Sequence, residues 1–303
     1  MLNQPLLRSL LFIPGNQPKM LKKASSVRPD AFVLDLEDSV PVLEKSNARE
    51  IVAAHIDEIS EAGIPIIPRV NSLDTGLIDD DLSYVVSSNI WGISVGKVGS
   101  LDDVLLVDKK ITKFEKESGI EVGKIRLLAW LETALGIVNA GQICSSKVRL
   151  SAVCFGAEDY TNDMEIPRHI ASSNLDNPAL AYPRSVIPLY AKASGVIPLD
   201  TPYFGYKDEA GLITDCQTAK QLGYEGKFAI HPAQIDIINQ VFSPNEDEYT
   251  QAMNEIDAFQ KSEAQGRGST SLEDQVIDVP VVERARKLVN KYESIFGKRE
   301  QDG

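Results

Sequence analysis

The sequence is short of the residues that most directly mark chemistry. Histidine occurs three times in 303 residues, at His55, His169 and His231. That scatter gives no zinc-binding spacing and no HExxH helix. Cysteine also occurs three times, at Cys144, Cys154 and Cys216. An odd count with no CxxC pair argues against a disulfide frame and for a reduced interior. No histidine is indicated beside any of the three, which disfavours a thiol nucleophile. Nucleophile-elbow and P-loop motifs are missing. No apolar run approaches the ~20 residues of a membrane span. The run Leu10–Ile13 is stopped by Pro14 and Gly15, too short for a signal-peptide core, so the cytoplasm is the expected location. Positive charge is scarce too: 31 Lys and Arg against 44 Asp and Glu give a formal net charge of −13. That excess argues against a nucleic acid or an anionic membrane as partner. It leaves room for a local basic patch serving one phosphorylated cofactor.

The composition is otherwise that of a globular chain, 43% hydrophobic and 25% charged, able to bury a large core. Eight β-rich runs recur, most followed by a polar cluster and a helical pattern. They begin at Leu7, Asp30, Ile64, Trp91, Ile125, Val148, Ser194 and Gly226. The third, IPIIPRVN, is the weakest strand because Pro65 and Pro68 interrupt it. Ser100 is placed to cap the helix after the fourth. Near-continuous apolar strands alternating with helices describe a closed parallel sheet buried on both faces. An open doubly wound sheet would also alternate, but no GxGxxG follows the first strand. The expected fold is an α/β TIM (β/α)8 barrel over residues 1–240 with a C-terminal helical extension over 241–303. Within that extension GRGSTSLEDQ is expected to be a loop, and VIDVPVVERARKLVNKYESIF after it a short extended piece and a terminal helix.

Polar residues collect at the strands' carboxyl ends, the mouth where such barrels place their chemistry. They are Asp35, Glu37 and Asp38, then Arg69 and Asn71, Lys97, Glu132 and Thr133, Glu158 and Asp159, Asp200, and His231. Glu132 and Asp159 on adjacent strands suit Mg²⁺, which keeps several waters and needs few protein ligands, and Glu37, Asp38 and Glu158 add acidity nearby; the alternative is that some of these acids cap helices or pair with Arg69 and Lys97. Arg69 lies in an apolar context and must meet a carboxylate, either one of the protein's own, Glu37 or Asp38, or that of a keto-acid substrate. Lys97 is a candidate Schiff-base lysine, although nearby acids would keep it charged.

Taken together, RSLLFIPGN, FVLDLEDSV with NARE downstream, PRVN, LETALGI, FGAEDYTND, DTPYFGYKD and FAIHPAQI resemble the citrate lyase β-subunit-like family. That family includes malyl-CoA and citramalyl-CoA lyases. The similarity runs through about residues 6–292. It implies a TIM barrel with Mg²⁺ on Glu132 and Asp159, and Glu37 and Asp38 holding metal-bound waters, with Asp38 counted among the catalytic residues. It implies that Arg69 contacts the keto-acid and thioester region. The segment PGNQPKMLKKA would receive the nucleotide end of coenzyme A through Lys19, Lys22 and Lys23, with Arg8 counted beside them. DQVIDVP resembles the family segment carrying a catalytic acid, here Asp278 with Asp274 as competitor. In relatives that segment reaches a neighbouring subunit's site, commonly in a homotrimer. Gln17, and VGKVGS where relatives carry PKVES, depart from the pattern. The implied reaction is reversible cleavage of a 3-hydroxy-3-carboxyl acyl-CoA, such as malyl-CoA or citramalyl-CoA, to a keto-acid and a shorter acyl-CoA. Alternatives are a malate-synthase-like or thioesterase outcome, cleavage of a citryl group on a carrier protein, and a non-catalytic acyl-CoA-binding subunit.

Overall fold

The computed structural model describes residues 5–167 and 177–298; His169 lies outside the described residues. The chain divides into two compact units, Met1–Asn239 and Gln240–Gly303. The first is a closed barrel of eight parallel strands in sequence order. These are β1 Ser9–Pro14, β2 Ala31–Asp35, β3 Arg69–Val70, β4 Gly92–Val95, β5 Arg126–Leu131, β6 Leu150–Phe155, β7 Ile197–Asp200 and β8 Gly226–Ala229. The ring closes where β1 pairs with β8, Ser9 opposite Lys227. Helices follow each strand, among them Lys45–Ser60, Leu101–Glu117, Pro178–Ser194 and Glu209–Leu222. Ser100 caps the second of these in a capping box with Asp103, so the free N–H groups of its first turn are satisfied. Among the described residues no helix is long and apolar enough to cross a membrane.

β3 is two residues long for a stated reason. Pro65 and Pro68 have no N–H to donate to a ladder, and upstream of Arg69 only the Phe32–Ile66 bridge joins it to β2.

Successive residues of a strand point to opposite faces, and the barrel sorts its residues accordingly. The inward set includes Leu10, Ala31, Val33, Ile67, Leu128, Trp130, Ala152, Cys154, Ile197, Leu199 and Phe228. Phe12, Trp130 and Phe228 stack at its upper end, with centroids 5.2 Å apart for Phe12–Phe228 and 4.3 Å for Trp130–Phe228. Each such side chain contributes about 1.5–3 kcal/mol by leaving water, and together they close the barrel's centre.

The outward set carries a different device. Asp200 and Lys227 are opposite each other on β7 and β8. Lys227 Nζ lies 2.5 Å from Asp200 and 2.5 Å from Asp215, while Arg184 Nη2 lies 2.7 Å from each of the two acids. All four are buried. Burial opposes ionisation of Asp200, but Lys227 and Arg184 outweigh it and hold its carboxyl below the usual range. Two cations matched to two anions lock the helices Pro178–Ser194 and Glu209–Leu222 onto the strands. Asp200, expected at the mouth, is therefore part of the barrel's outer wall. The adjacent inward position is Thr201.

The second unit holds the helices Glu246–Glu263 and Val279–Phe296. Tyr249, Ala252, Ala285, Val289 and Tyr292 form one apolar cluster between them, and Phe259, Ile277 and Val282 form another. The stretch expected to be a loop contains an antiparallel hairpin, β9 Thr270–Leu272 with β10 Gln275–Ile277. Its two turn residues, Glu273 and Asp274, both have positive φ (47° and 61°). That is the backbone twist two-residue hairpins favour, although without the glycine that usually supplies it.

Lys227→Met should leave two buried carboxylates sharing one guanidinium and cost about 3–5 kcal/mol in urea unfolding. Replacing Asp215 by Leu in the same chain should recover most of that loss. A single-variant cost near zero would show that the network holds nothing together.

Candidate active site

The same alternation builds the mouth. Following seven of the inward series to the strand's carboxyl end or just past it gives Pro14 after Phe12, Asp35 after Val33, Arg69 after Ile67, Glu132 after Trp130, Gly156 after Cys154, Thr201 after Leu199 and Ile230 after Phe228. All of these line one cavity of about 500 Å³, together with Asp38, Glu158, Asp159 and Phe204. Its floor is aromatic, from Phe12 and Trp130, and its rim is acidic.

Glu132 is almost fully buried, at 2% exposure. Its Oε1 accepts a hydrogen bond from the backbone N–H of Lys97 at 2.8 Å. Two glycines make room for it. A methyl group at Gly156 would lie 2.2 Å from Glu132 Oε2, and one at Gly96 would lie 2.9 Å from Glu132 Oε1 and 2.7 Å from Glu37 Oε1. The two carboxylates thus converge on a strip of bare backbone. Both oxygens of Glu37 are buried without a hydrogen-bond partner. Arg69 at 3.6 Å and Lys97 at 3.8 Å approach Glu37 only as ion contacts. Burial, then Asp159 and Glu37, pushes the Glu132 pKa up to about 8. Burial raises Glu37 to about 7, partly offset by Arg69. Asp159 is also raised, by burial and then by Asp38.

Arg69 sits amid these acids with its side chain only 10% exposed. Asp35, opposite it on β2, accepts from Nε and Nη2 at 2.7 Å each, and Asp38 accepts from Nη1 at 3.0 Å. The guanidinium carbon lies 4.7 Å from the centre of the Phe12 ring. The carboxylate that Arg69 had to meet is therefore first of all one of the protein's own. Asp38 serves it too, whereas the main partner is Asp35, a mouth residue that the sequence pattern did not pair with Arg69.

The other expected residues are placed as follows. Lys97 adopts a left-handed backbone (φ 55°). Burial would lower its pKa, but Glu37, Asp38 and neighbouring acids reverse that and raise it, which favours the charged ammonium and disfavours a Schiff-base nucleophile. Thr133 caps the helix Ala134–Val138. Asn71 bonds Asp81 at 2.7 Å and the Leu36 carbonyl at 3.0 Å. His231 is on the outward phase, stacked on Tyr206 and capping the short turn Pro232–Gln234. Lys19, Lys22 and Lys23 are exposed on the helix Pro18–Lys23, which follows β1 at the mouth. Arg8 requires a correction. It precedes β1, at the end of the barrel away from the mouth, and forks Asp30 through Nε and Nη2 at 2.8 Å each. Its guanidinium ties the chain entering β1 to the residue before β2, a scaffold contact. Asp278 belongs to the second unit, where it caps the helix Val279–Phe296 by accepting from Val281 N–H at 3.3 Å. All three cysteines are free and buried. Burial pushes Cys144 and Cys216 up to about 12 and Cys154 well above its ordinary value, so none is a ready thiolate.

The donor set suits a hard divalent cation. Glu132, Glu37 and Asp159 bring hard oxygens into one region without enough hydrogen bonds or positive charge to satisfy them. Among the described residues no three His, Cys, Asp or Glu side chains form a group able to hold a metal by themselves. A cation on Glu132 and Asp159 would complete its sphere with waters and substrate oxygens, as Mg²⁺ does.

A closed parallel barrel with acidic and cationic side chains gathered at its carboxyl-end mouth is the architecture of a barrel enzyme. The chain belongs to the HpcH/HpaI aldolase/citrate lyase family, whose model matches residues 8–232, and with that family goes its enzyme class, the lyases. The citrate lyase subunit beta of Leuconostoc mesenteroides subsp. cremoris is 36% identical over 287 residues, covering 95% of this chain and 93% of its own. A (3S)-malyl-CoA thioesterase of Cereibacter sphaeroides is 32% identical, with 95% of each chain covered. The mitochondrial citramalyl-CoA lyase of Homo sapiens is 30% identical, covering 95% of this chain and 86% of its own. Among solved structures, CitE of Mycobacterium tuberculosis in complex with magnesium, acetoacetate and coenzyme A superposes with a TM-score of 0.76. It is 23% identical and covers 94% of this chain and 97% of its own.

The raised acids imply a stability profile. An unfolded chain loses the Glu132 proton near the ordinary value of 4.5, whereas the folded chain keeps it to about 8. Between those values the folded state binds more protons, so the contribution of Glu132 to stability falls as pH rises. In EDTA, the melting temperature of the wild type should drop between pH 5 and pH 8 relative to Glu132→Gln. Parallel curves would mean that Glu132 titrates normally.

Proposed function

We propose that this chain is a Mg²⁺-dependent lyase that opens a carbon–carbon bond in a 3-hydroxy-3-carboxyl acyl-CoA, malyl-CoA or citramalyl-CoA in kind. The observation that carries this is the cluster of buried, under-satisfied carboxylates beside a fixed guanidinium over an aromatic-floored cavity. Glu132 and Asp159 would hold Mg²⁺, with Glu37 and Asp38 orienting waters around it; bound there, it would stabilise negative charge developing on the substrate's oxygens. Arg69 has five N–H groups and spends three on Asp35 and Asp38. The remaining two would meet the keto-acid carboxylate or the thioester carbonyl and offset charge in the transition state. Phe12, Trp130, Phe204 and Ile230 would exclude water from the reacting carbons. Asp38, half exposed at the rim, would take the hydroxyl proton. As the hydroxyl becomes a carbonyl, the electron pair of the breaking C–C bond would pass to the carbon next to the thioester. Asp278 of a neighbouring subunit would protonate that carbon, or remove its proton in the reverse direction. This part of the reading includes a homo-oligomer, such as a trimer, in which the C-terminal unit completes the site of the next chain. The exposed Lys19, Lys22 and Lys23 would receive the phosphates of coenzyme A. The relatives' names support the class of substrate, and a cytoplasmic setting agrees with a freely diffusing thioester.

The likeness to a malyl-CoA thioesterase favours a second outcome, hydrolysis of the same substrate. The likeness to citrate lyase subunits favours a thioester carried on a partner protein in place of coenzyme A. Incubating the purified chain with Mg²⁺ and malyl-CoA or citramalyl-CoA, and identifying products by mass spectrometry, separates these. Keto-acid with a shorter acyl-CoA is the expected result. Free CoA with a hydroxy-diacid would replace lyase by hydrolase, and no turnover of either compound would remove both CoA-based readings. Asp278→Asn should lower turnover about 10²–10⁴-fold, the scale of a lost general acid, with calorimetric Mg²⁺ affinity unchanged. Mg²⁺ should raise the melting temperature of the wild type at pH 8 and leave that of Glu132→Gln unmoved.

A further inference from the structure

The cavity's cation, Arg69, stands where its own surroundings should pull it out of place. Glu37 Oε2 is 3.6 Å from Nη1, and Glu132 and Asp159 line the same cavity. A guanidinium on a flexible stem would settle among these acids, compete with any cation there and point its N–H groups away from a substrate. It does not, because Asp35 grips the Nε–Nη2 edge with two 2.7 Å bonds. Such a fork fixes both distance and plane.

Asp35 is itself held still. Its Oδ1 accepts from the Glu37 N–H at 2.9 Å and its Oδ2 from the Ser39 N–H at 3.1 Å. Its strand is tied to that of Arg69 by the Leu36 N–H donating to the Arg69 carbonyl at 2.9 Å. Phe12 covers one face of the guanidinium. Burial opposes ionisation of Asp35, yet Arg69 reverses this and keeps it an anion. The other buried arginines with acid partners, Arg49, Arg149 and Arg184, do not line this cavity.

We propose that Asp35 is a positioning residue for the lyase reaction: it clamps the inner edge of Arg69 so that the two unspent N–H groups face the substrate and the guanidinium stays off the carboxylates reserved for the cation. The idea rests on the role for Arg69 proposed above, and it adds a residue that acts only through Arg69. It also changes what Arg69 contributes. With its charge matched by Asp35, it serves as a directed donor more than as a free positive charge.

A double-mutant cycle tests this. Asp35→Asn keeps the side chain's size but breaks the two-acceptor fork, and Arg69→Lys keeps the charge but has no edge to grip. With the thioester that the wild type turns over, Asp35→Asn should lower kcat about 10²-fold, the scale of an ångström-level misplacement, while KM stays within about twofold. On the Arg69→Lys background the same change should cost less than about twofold, the limit within which independent sites add. Equal losses on both backgrounds would make Asp35 a fold residue only and overturn the proposal, as would wild-type kcat in Asp35→Asn. If Asp35→Asn does not fold, Asp35→Glu replaces it. That variant keeps the charge but shifts the fork by one methylene, so the same kcat loss is expected, and full activity overturns. If the wild type turns over neither malyl-CoA nor citramalyl-CoA, the proposed reaction falls separately. The cycle is then read on calorimetric affinity for pyruvate in Mg²⁺, where coupled losses support the clamp, and additive losses or no wild-type binding overturn it.

Discussion

Glu132 is repelled by both Asp159 and Glu37 at a mouth that buries Glu132 and Glu37, and the features around them answer that repulsion. Buried carboxylates at close range either take up protons or attract a cation. Here Arg69 and Lys97 supply part of the positive charge, and neither makes a hydrogen bond to Glu37. Bare backbone at Gly96 and Gly156 allows the approach, since a methyl group at either position would collide with carboxylate oxygens. The strand ends therefore hold their acids in a costly arrangement that the scaffold must sustain.

The sustaining part lies in the outer wall of the barrel, at β7, β8 and the helices packed on them. Asp200, Asp215, Arg184 and Lys227 match two negative charges with two positive ones in full burial, and Arg149 is likewise satisfied by Asp108 and Glu115. These networks are balanced and closed. The mouth is unbalanced and open, which separates groups that hold the barrel together from groups that await a ligand. Asp35 and Arg69 belong to both kinds, forming a closed pair that still presents free N–H groups to the cavity.

The eight strands were legible because each is an apolar run ended by polar residues, and neither feature depends on the rest of the chain. The weak third strand was marked by its prolines and is the shortest in the ring. Of the hairpin at Thr270–Ile277 the second strand was legible as a short extended piece, but the first strand and the turn were not, because the turn residues are Glu273 and Asp274 where glycine or asparagine would have announced it. Placing Asp200 and His231 at the mouth ignored a pattern that was present. Counting in twos from Leu199 and Phe228 selects Thr201 and Ile230 and leaves Asp200 and His231 on the outer face. Arg8, counted with the coenzyme lysines, precedes its strand and so lies at the opposite end of the barrel.

By itself, the sequence determined the barrel, the family and the set of acids at the strand ends, because periodicity and local residue order carry that information along the chain. Only the tertiary structure decided which charges answer which. Asp35 and Arg69 are 34 residues apart and meet because β2 and β3 lie side by side. Lys227 serves the wall and not the mouth because its strand turns it outward. Glu132 and Glu37 become an unsatisfied pair only when folding brings both against Gly96 and removes the water that would otherwise keep them apart.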